Sequence, residues 1–141
     1  PISVYLHFEG KEAEVVPMRY FILKDQKGAL QKLAGHGLVL NQMEKTERWK
    51  VQEFQIDSTR TTRFAFQGHK ERTIFGRYQE KEVDIPAGTY VLDLSENRSK
   101  ARLAFYLLEP RSDDGLLNWN FFDAWLEKQP KVYPVWRQIR R

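Results

Sequence analysis

Cysteine is absent from the 141 residues. A disulfide framework, a thiolate nucleophile and a cysteine-ligated zinc knuckle are therefore excluded, and cysteine usage reports nothing about redox compartment. No apolar run approaches the roughly 18 residues of a membrane-spanning helix; the longest, around Tyr20 to Leu23 and Leu103 to Leu108, are strand-sized. The chain does not open with a basic segment, an apolar stretch and a small-residue cleavage site, so no signal peptide is expected within these residues. None of Ser3, Ser58, Ser95, Ser99 or Ser112 sits in a Gly-x-Ser-x-Gly turn, which leaves nucleophilic serine catalysis without a motif. Glycines that would cradle phosphate at the start of a helix are also missing, because Gly35-His36-Gly37 falls at a helix end. Repeats, low-complexity tracts and linkers are lacking, so residues 1–141 are expected to form a single domain.

An excess of one charge is nearly absent too. Lys plus Arg number 23 against 19 Asp plus Glu, a net +4, and Arg137, Arg140 and Arg141 supply three of those four charges. Elsewhere the signs alternate, as in Glu80-Lys81-Glu82 and Lys70-Glu71-Arg72, which reads as a solvated surface and argues against nucleic acid as a partner. With 41% hydrophobic and 30% charged residues, the composition suits a globular core and excludes disorder and coiled coil.

What is present is strand periodicity. Apolar and polar residues alternate from Ile2 to Phe8, and Met18 to Leu23 follows Pro17 as a strand buried on both faces. Leu30, Leu33 and Ala34 mark a short helix capped near Gly35, with Leu38 to Leu40 a strand behind it. Trp49 and Val51 share one parity, Phe54 and Ile56 the other, which a bulge near Gln52 or Glu53 would reconcile. Phe64 to Phe66, Thr73 to Phe75 and Val83 with Ile85 read as three strands. Pro86 to Thr89 then reads as a tight hairpin turn into the alternation at Tyr90, Leu92 and Leu94. The continuous run Leu103 to Leu108, stopped by Pro110, reads as the central strand. Asn118 can cap a second helix with Leu117, Phe121, Ala124 and Trp125 on one face, ended by Pro130, before an extended tail at Tyr133 to Trp136. The expected class is α+β, mainly antiparallel β, a β-sandwich-like sheet with two short helices.

Chemistry-bearing groups are sparse. His7 with Glu9, and His69 with Glu71, would share a strand face and could offer two metal ligands; both stretches carry mixed charge, and ordinary strand ends account for them better. His36 lies between glycines that suit backbone turns. Glu109, Asp113, Asp114 and Asp123, with Asn118 and Asn120, form the richest acidic cluster, yet the spacing is not that of a calcium loop. Trp119, Trp125 and Trp136 sit among Leu and Phe, as core residues do.

Three segments carry a resemblance: Gln67 to Glu71 (QGHKE), Ile85 to Leu94 (IPAGTYVLDL) and Leu103 to Asp123 (LAFYLLEPRSDDGLLNWNFFD), with Gly35-His36-Gly37 upstream. Together they resemble the C-terminal portion of bacterial zinc carboxypeptidase-like proteins, over roughly Met18 to Arg137. In one place the chain departs from that pattern, carrying Ser99-Lys100 where relatives have Gln-Pro. The resemblance implies a secreted or periplasmic zinc hydrolase whose catalytic domain precedes this region. The family's His-x-x-Glu metal motif matches no position here, so no catalytic, cofactor or metal residue is carried over, and zinc is expected in the catalytic domain alone. The implied role is that of a non-catalytic C-terminal domain that packs on the catalytic domain of the same polypeptide, stabilising it or shaping access to its cleft. Arg111, Asp113, Asp114, Asn118 and Asn120 are the expected partner-facing surface. The alternative is a module that holds peptide or glycan substrate through Trp49, Tyr78 or Tyr90, and an independent hydrolase would need His69, Glu71 and a metal.

Overall fold

Strands form where apolar side chains alternate, and the longest of them set the plan. The computed structural model describes residues 4–6, 14–61, 72–110, 115–117 and 119–139. A small antiparallel pair joins β1 (Val4–Leu6) to β2 (Glu14–Val16). The main sheet contains β3 (Arg19–Ile22), β4 (Asn41–Gln42), β5 (Glu47–Thr61), β6 (Arg72–Ile85), β7 (Tyr90–Asp93) and β8 (Val132–Gln138), in the order β4-β7-β3-β8-β5-β6. Every pairing is antiparallel. Three short helices accompany it, α1 (Lys27–Gly35), α2 (Ala101–Leu108) and α3 (Asp123–Lys128), with a 3-10 turn at Arg98–Lys100. The α+β, mainly antiparallel class read from the sequence is the class observed, with one helix more than expected. None of these helices is long and apolar enough to cross a membrane.

The two edge strands continue the inner ones. Asn41 pairs with Val91 and Glu47 with Ile85, six residues on in one strand and six back in the other, so the β4–β7 ladder keeps the register of the β5–β6 ladder. Between them the Met43 N–H donates to the Thr89 carbonyl at 2.9 Å, and the Gly88 N–H to the Met43 carbonyl at 2.8 Å. One long ribbon thus bends round while β3 and β8 bridge its two arms, which curls the sheet back on itself.

The curl gives the sheet two buried faces. Tyr20, Ile22, Phe54, Ile56, Ile74, Leu92, Tyr133 and Val135 pack against Ala29, Leu30 and Leu33 of α1, Ala104, Phe105 and Leu108 of α2, and Leu126 of α3. On the other face Phe21, Val51 and Ile85 are buried with Met43, Trp49, Val83, Val91 and Trp136 around them. The parity change between Trp49/Val51 and Phe54/Ile56 therefore records one strand feeding both clusters in turn. The β5–β6 register shift sits later, between Ile56 and Ser58, and β5 slips against β8 between Glu53 and Gln55.

Several sequence expectations are corrected. Leu103 to Leu108 is helical, within α2, because Ala104, Phe105 and Leu108 recur at helical spacing toward the sheet. Thr73 to Phe75 and Val83 with Ile85 are parts of the single strand β6. The turn at Pro86 to Thr89 exists, with the Thr89 N–H on the Pro86 carbonyl at 3.2 Å, yet β6 and β7 do not pair with each other. Leu38 to Leu40 forms no strand: the Asn97 amide takes the place of a neighbouring strand, accepting from the Val39 N–H at 2.7 Å and donating to its carbonyl at 3.2 Å. The last helix begins at Asp123, after Phe122, and it is Phe122 and Leu126 that are buried while Ala124 is exposed. Phe64 to Phe66 lies outside the described residues.

Candidate functional site

The most concentrated polar chemistry in the described residues is buried between α2 and the sheet. Pro110 disfavours helical backbone at the residue before it, so Glu109 leaves α2 in an extended conformation, φ −70° and ψ 134°, while its N–H still closes on the Phe105 carbonyl at 3.0 Å. That break turns the Glu109 side chain onto the sheet, where the residue is only 5% exposed. Its Oε2 accepts from the Tyr20 hydroxyl at 2.6 Å; its Oε1 accepts from the Tyr78 hydroxyl at 2.9 Å and from Arg137 Nη1 at 2.9 Å. Arg137 also donates through Nε to Gln52 Oε1 at 2.7 Å, and its guanidinium carbon lies 3.5 Å from the Tyr78 ring centroid. Nearby, the Tyr133 hydroxyl donates to the Leu108 carbonyl at 2.7 Å.

Four elements thus converge on one carboxylate: β3 brings Tyr20, β6 Tyr78, β8 Arg137, and the end of α2 Glu109. Burial pushes the Tyr20 and Tyr78 hydroxyls well above the usual phenol range, and the adjacent Glu109 charge pushes the same way. Tyr133 is raised by burial and then by Glu109. Burial alone would lower Arg137, but Tyr78 and Glu109 outweigh it and hold the guanidinium firmly charged. The phenols therefore stay protonated donors, and a buried charge with three donors is a compensated one. Chemically this arrangement fastens; both carboxylate oxygens are occupied and neither tyrosine is poised to ionise.

A second set lies on the opposite face. Glu53 accepts from Trp136 Nε1 at 3.0 Å, Lys81 Nζ at 3.1 Å and Gln55 Nε2 at 2.7 Å. Burial would raise its carboxyl, but those bonds win and hold it below the ordinary range. Arg19 bridges Gln138 and Asp93 and lies 5.3 Å from the Trp49 ring centroid.

Of the residues expected to face a partner, Arg111, Asp113, Asp114 and Asn118 lie outside the described residues, as do His7, Glu9, His69 and Glu71. Asn120 is half-buried and adopts a left-handed backbone, φ 70°, which asparagine tolerates in turns; its Nδ2 donates to Asp123 Oδ1 at 3.3 Å. Asp123 also accepts from Arg72 Nε at 2.9 Å. His36 is exposed at the end of α1, and its carbonyl accepts from Lys100 Nζ at 2.6 Å.

The acidic cluster read from the sequence divides: Glu109 is turned onto tyrosines and an arginine, and Asp123 onto Arg72. Among the described residues no three His, Cys, Asp or Glu side chains converge as metal ligands would. The aromatics weighed as a contact surface are engaged internally. Tyr78 belongs to the Glu109 network, Trp49 packs on Phe21 with ring centroids 5.3 Å apart, and half-buried Tyr90 packs on the main core. The sequence did carry a signal for the Glu109 node: a lone carboxylate ending an apolar run, directly before a proline. No protein-family model, no curated protein and no solved structure matches the chain.

Proposed function

We propose that this chain is a non-catalytic C-terminal domain of a zinc metallocarboxypeptidase, packing on the catalytic domain of the same polypeptide and bracing it. One observation carries the reading. The segment with the most specific family resemblance, Leu103 to Asp123, spends its described side chains on internal fastening: Leu108, Pro110, Leu116, Leu117 and Phe122 are buried, Glu109 holds the sheet and Asp123 holds Arg72. A domain whose polar groups are committed in this way offers a rigid support for the neighbouring segment with Arg111, Asp113 and Asp114. The expected location, secreted or periplasmic, comes with the resemblance, as does zinc in the catalytic domain. The test is binding in trans. The zinc-loaded catalytic region and this chain are purified separately and mixed; the domain is expected to raise the thermal midpoint of the catalytic region. Failure of the two to associate at micromolar concentration, or a longer chain without a zinc peptidase domain, would remove the proposal.

A further inference from the structure

We infer that the far end of the β5–β6 ribbon docks on an anionic lipid surface, through Phe75 with Arg60 and Arg77 beside it. The ribbon outruns the rest of the sheet. The last contacts of β5 with β8 are the pairing of Gln55 with Val132 and the Ile56 N–H on the Lys131 carbonyl at 2.8 Å. Beyond them β5 and β6 continue as two strands alone, from Ser58 opposite Phe75 to Thr61 opposite Arg72. At the point of departure Asp57 is an extra residue in β5, between Ile56 and Ser58. Facing Ile56, only glycine fits at position 76, since a β-carbon there would lie 1.9 Å from the Gln55 carbonyl oxygen. A bulge of this kind bends the strand that carries it and re-aims the side chains that follow.

Alternation then divides the two faces of the ribbon. Ile74 and Arg72 turn back onto the domain: Ile74 is buried in the main core, and Arg72 Nε lies 2.9 Å from Asp123 Oδ1. Thr73, Phe75 and Arg77 share the other face with Ser58 and Arg60, the partners of Phe75 and Thr73. Phe75 is 46% exposed, one of two large apolar side chains so exposed among the described residues, and the Arg60 guanidinium lies 5.5 Å from its ring centroid. Arg60 and Arg77 are exposed, and neither has an ion pair among the described residues. Asp57 is the one acid in residues 57–61 and 72–77, and Arg72 is already matched by Asp123. The outer face is therefore an apolar ring between two unmatched cations.

That combination narrows the partner. A second copy of this chain is disfavoured, because two-fold pairing of the tips would set Arg60 and Arg77 against their own equivalents. A protein partner of ordinary size covers about 800 Å² per side, and single-stranded nucleic acid takes several stacking rings along a basic track. One phenyl ring provides neither. A bilayer asks for less: headgroup phosphates for the arginines, and the headgroup boundary for the ring. This inference stands apart from the accessory-domain reading, since the ribbon belongs to the chain itself and the measurement needs no catalytic region.

The test is co-sedimentation of the chain with vesicles of phosphatidylcholine alone, and of phosphatidylcholine with about one third phosphatidylglycerol, at about 0.05 M and about 0.5 M salt. Binding is expected to the anionic vesicles at low salt, half-maximal at lipid concentrations on the order of millimolar, and is expected to vanish at high salt or without phosphatidylglycerol. Arg77 is exposed and unpaired, so Arg77→Glu leaves the fold intact and should weaken binding about tenfold. Phe75→Ala should weaken it about threefold. Lys45→Glu makes the same change of charge just before the other end of β5 and should stay within about twofold of the parent. No binding to anionic vesicles, equal binding to neutral ones, an unchanged affinity in Phe75→Ala, or a loss in Lys45→Glu as large as in Arg77→Glu would overturn the assignment. Tighter, Arg77-dependent binding of oligo(dT) or polyglutamate in the same buffer would also overturn it, giving the tip to nucleic acid or to an acidic protein.

Discussion

Replacing Glu109 by alanine should be the most damaging polar substitution in the described residues. The change removes the acceptor for Tyr20, Tyr78 and Arg137 at once and leaves the buried Tyr20 phenol, the half-buried Tyr78 phenol and a guanidinium short of a partner. Breaking a buried ion pair from one side costs about 3–5 kcal/mol. Arg137 keeps Gln52 and the Tyr78 ring, and its side chain remains 17% exposed, so the low end applies, about 3 kcal/mol. For a chain of 141 residues that corresponds to a fall of about 10 °C in thermal midpoint. Tyr20→Phe alone should cost about 2 kcal/mol, since it strips the 2.6 Å donor from a buried charge. In the Glu109→Ala background the same change should cost well under 1 kcal/mol, because the acceptor is already gone. Urea unfolding followed by fluorescence of the four tryptophans measures all four proteins of this cycle. Additivity within about 0.5 kcal/mol would refute the reasoning, since the two groups would then not act through one contact.

Further outcomes follow from the same contacts. Glu53 and Asp93 are held below their ordinary values of 4.5 and 3.8, both against the upward push of burial, by Trp136 and Lys81 and by Ser95 and Arg19 respectively. A lowered carboxyl contributes stability that is present above its unfolded value and lost as pH falls through the folded one; acid unfolding should begin below about pH 4.5 and flatten in Glu53→Gln. At the alkaline end, Tyr20, Tyr78 and Tyr133 favour the neutral phenol, so the stability they add is present below about pH 10 and lost above it. Absorbance titration at the phenolate band should find these three of the six tyrosines silent near pH 10 until the chain unfolds, and six titrating together would contradict their burial. Gly76→Ala should be more severe than its size suggests, because a β-carbon there would lie 1.9 Å from the Gln55 carbonyl oxygen on the facing strand. A cost of about 2 kcal/mol or more is expected in urea unfolding, and a neutral effect would mean the ribbon is less close-packed there.

Much of the sheet was legible because alternation reports which side chains leave water: it placed β5 and β7 near their observed positions, while the apolar run after Pro17 marked β3 and the tail at Tyr133 to Trp136, read as extended, is β8. The helix at Ala101–Leu108 was not, because six consecutive apolar residues fit a buried strand and a buried helix turn equally well, and only packing on a distant sheet decides. The turn at Pro86 to Thr89 was read correctly from its residues, but turn chemistry is local and says nothing of which strands pair afterward. Likewise, a parity change along β5 can mean a bulge or a second buried face. The second face depends on Phe21, Ile85 and Trp136, which are remote in sequence. The node at Glu109 was visible as an acid at the end of an apolar run, and was grouped with its acidic sequence neighbours because its true partners are 89, 31 and 28 residues away.

The most direct measurement of the accessory-domain account compares the proposed parent polypeptide with the same polypeptide ending before this domain, in thermal midpoint and in metal-dependent turnover. The account predicts a lower midpoint on truncation with normal turnover per folded molecule. An unchanged midpoint, with activity on large substrates selectively lost, would contradict bracing and assign the domain to holding substrate instead.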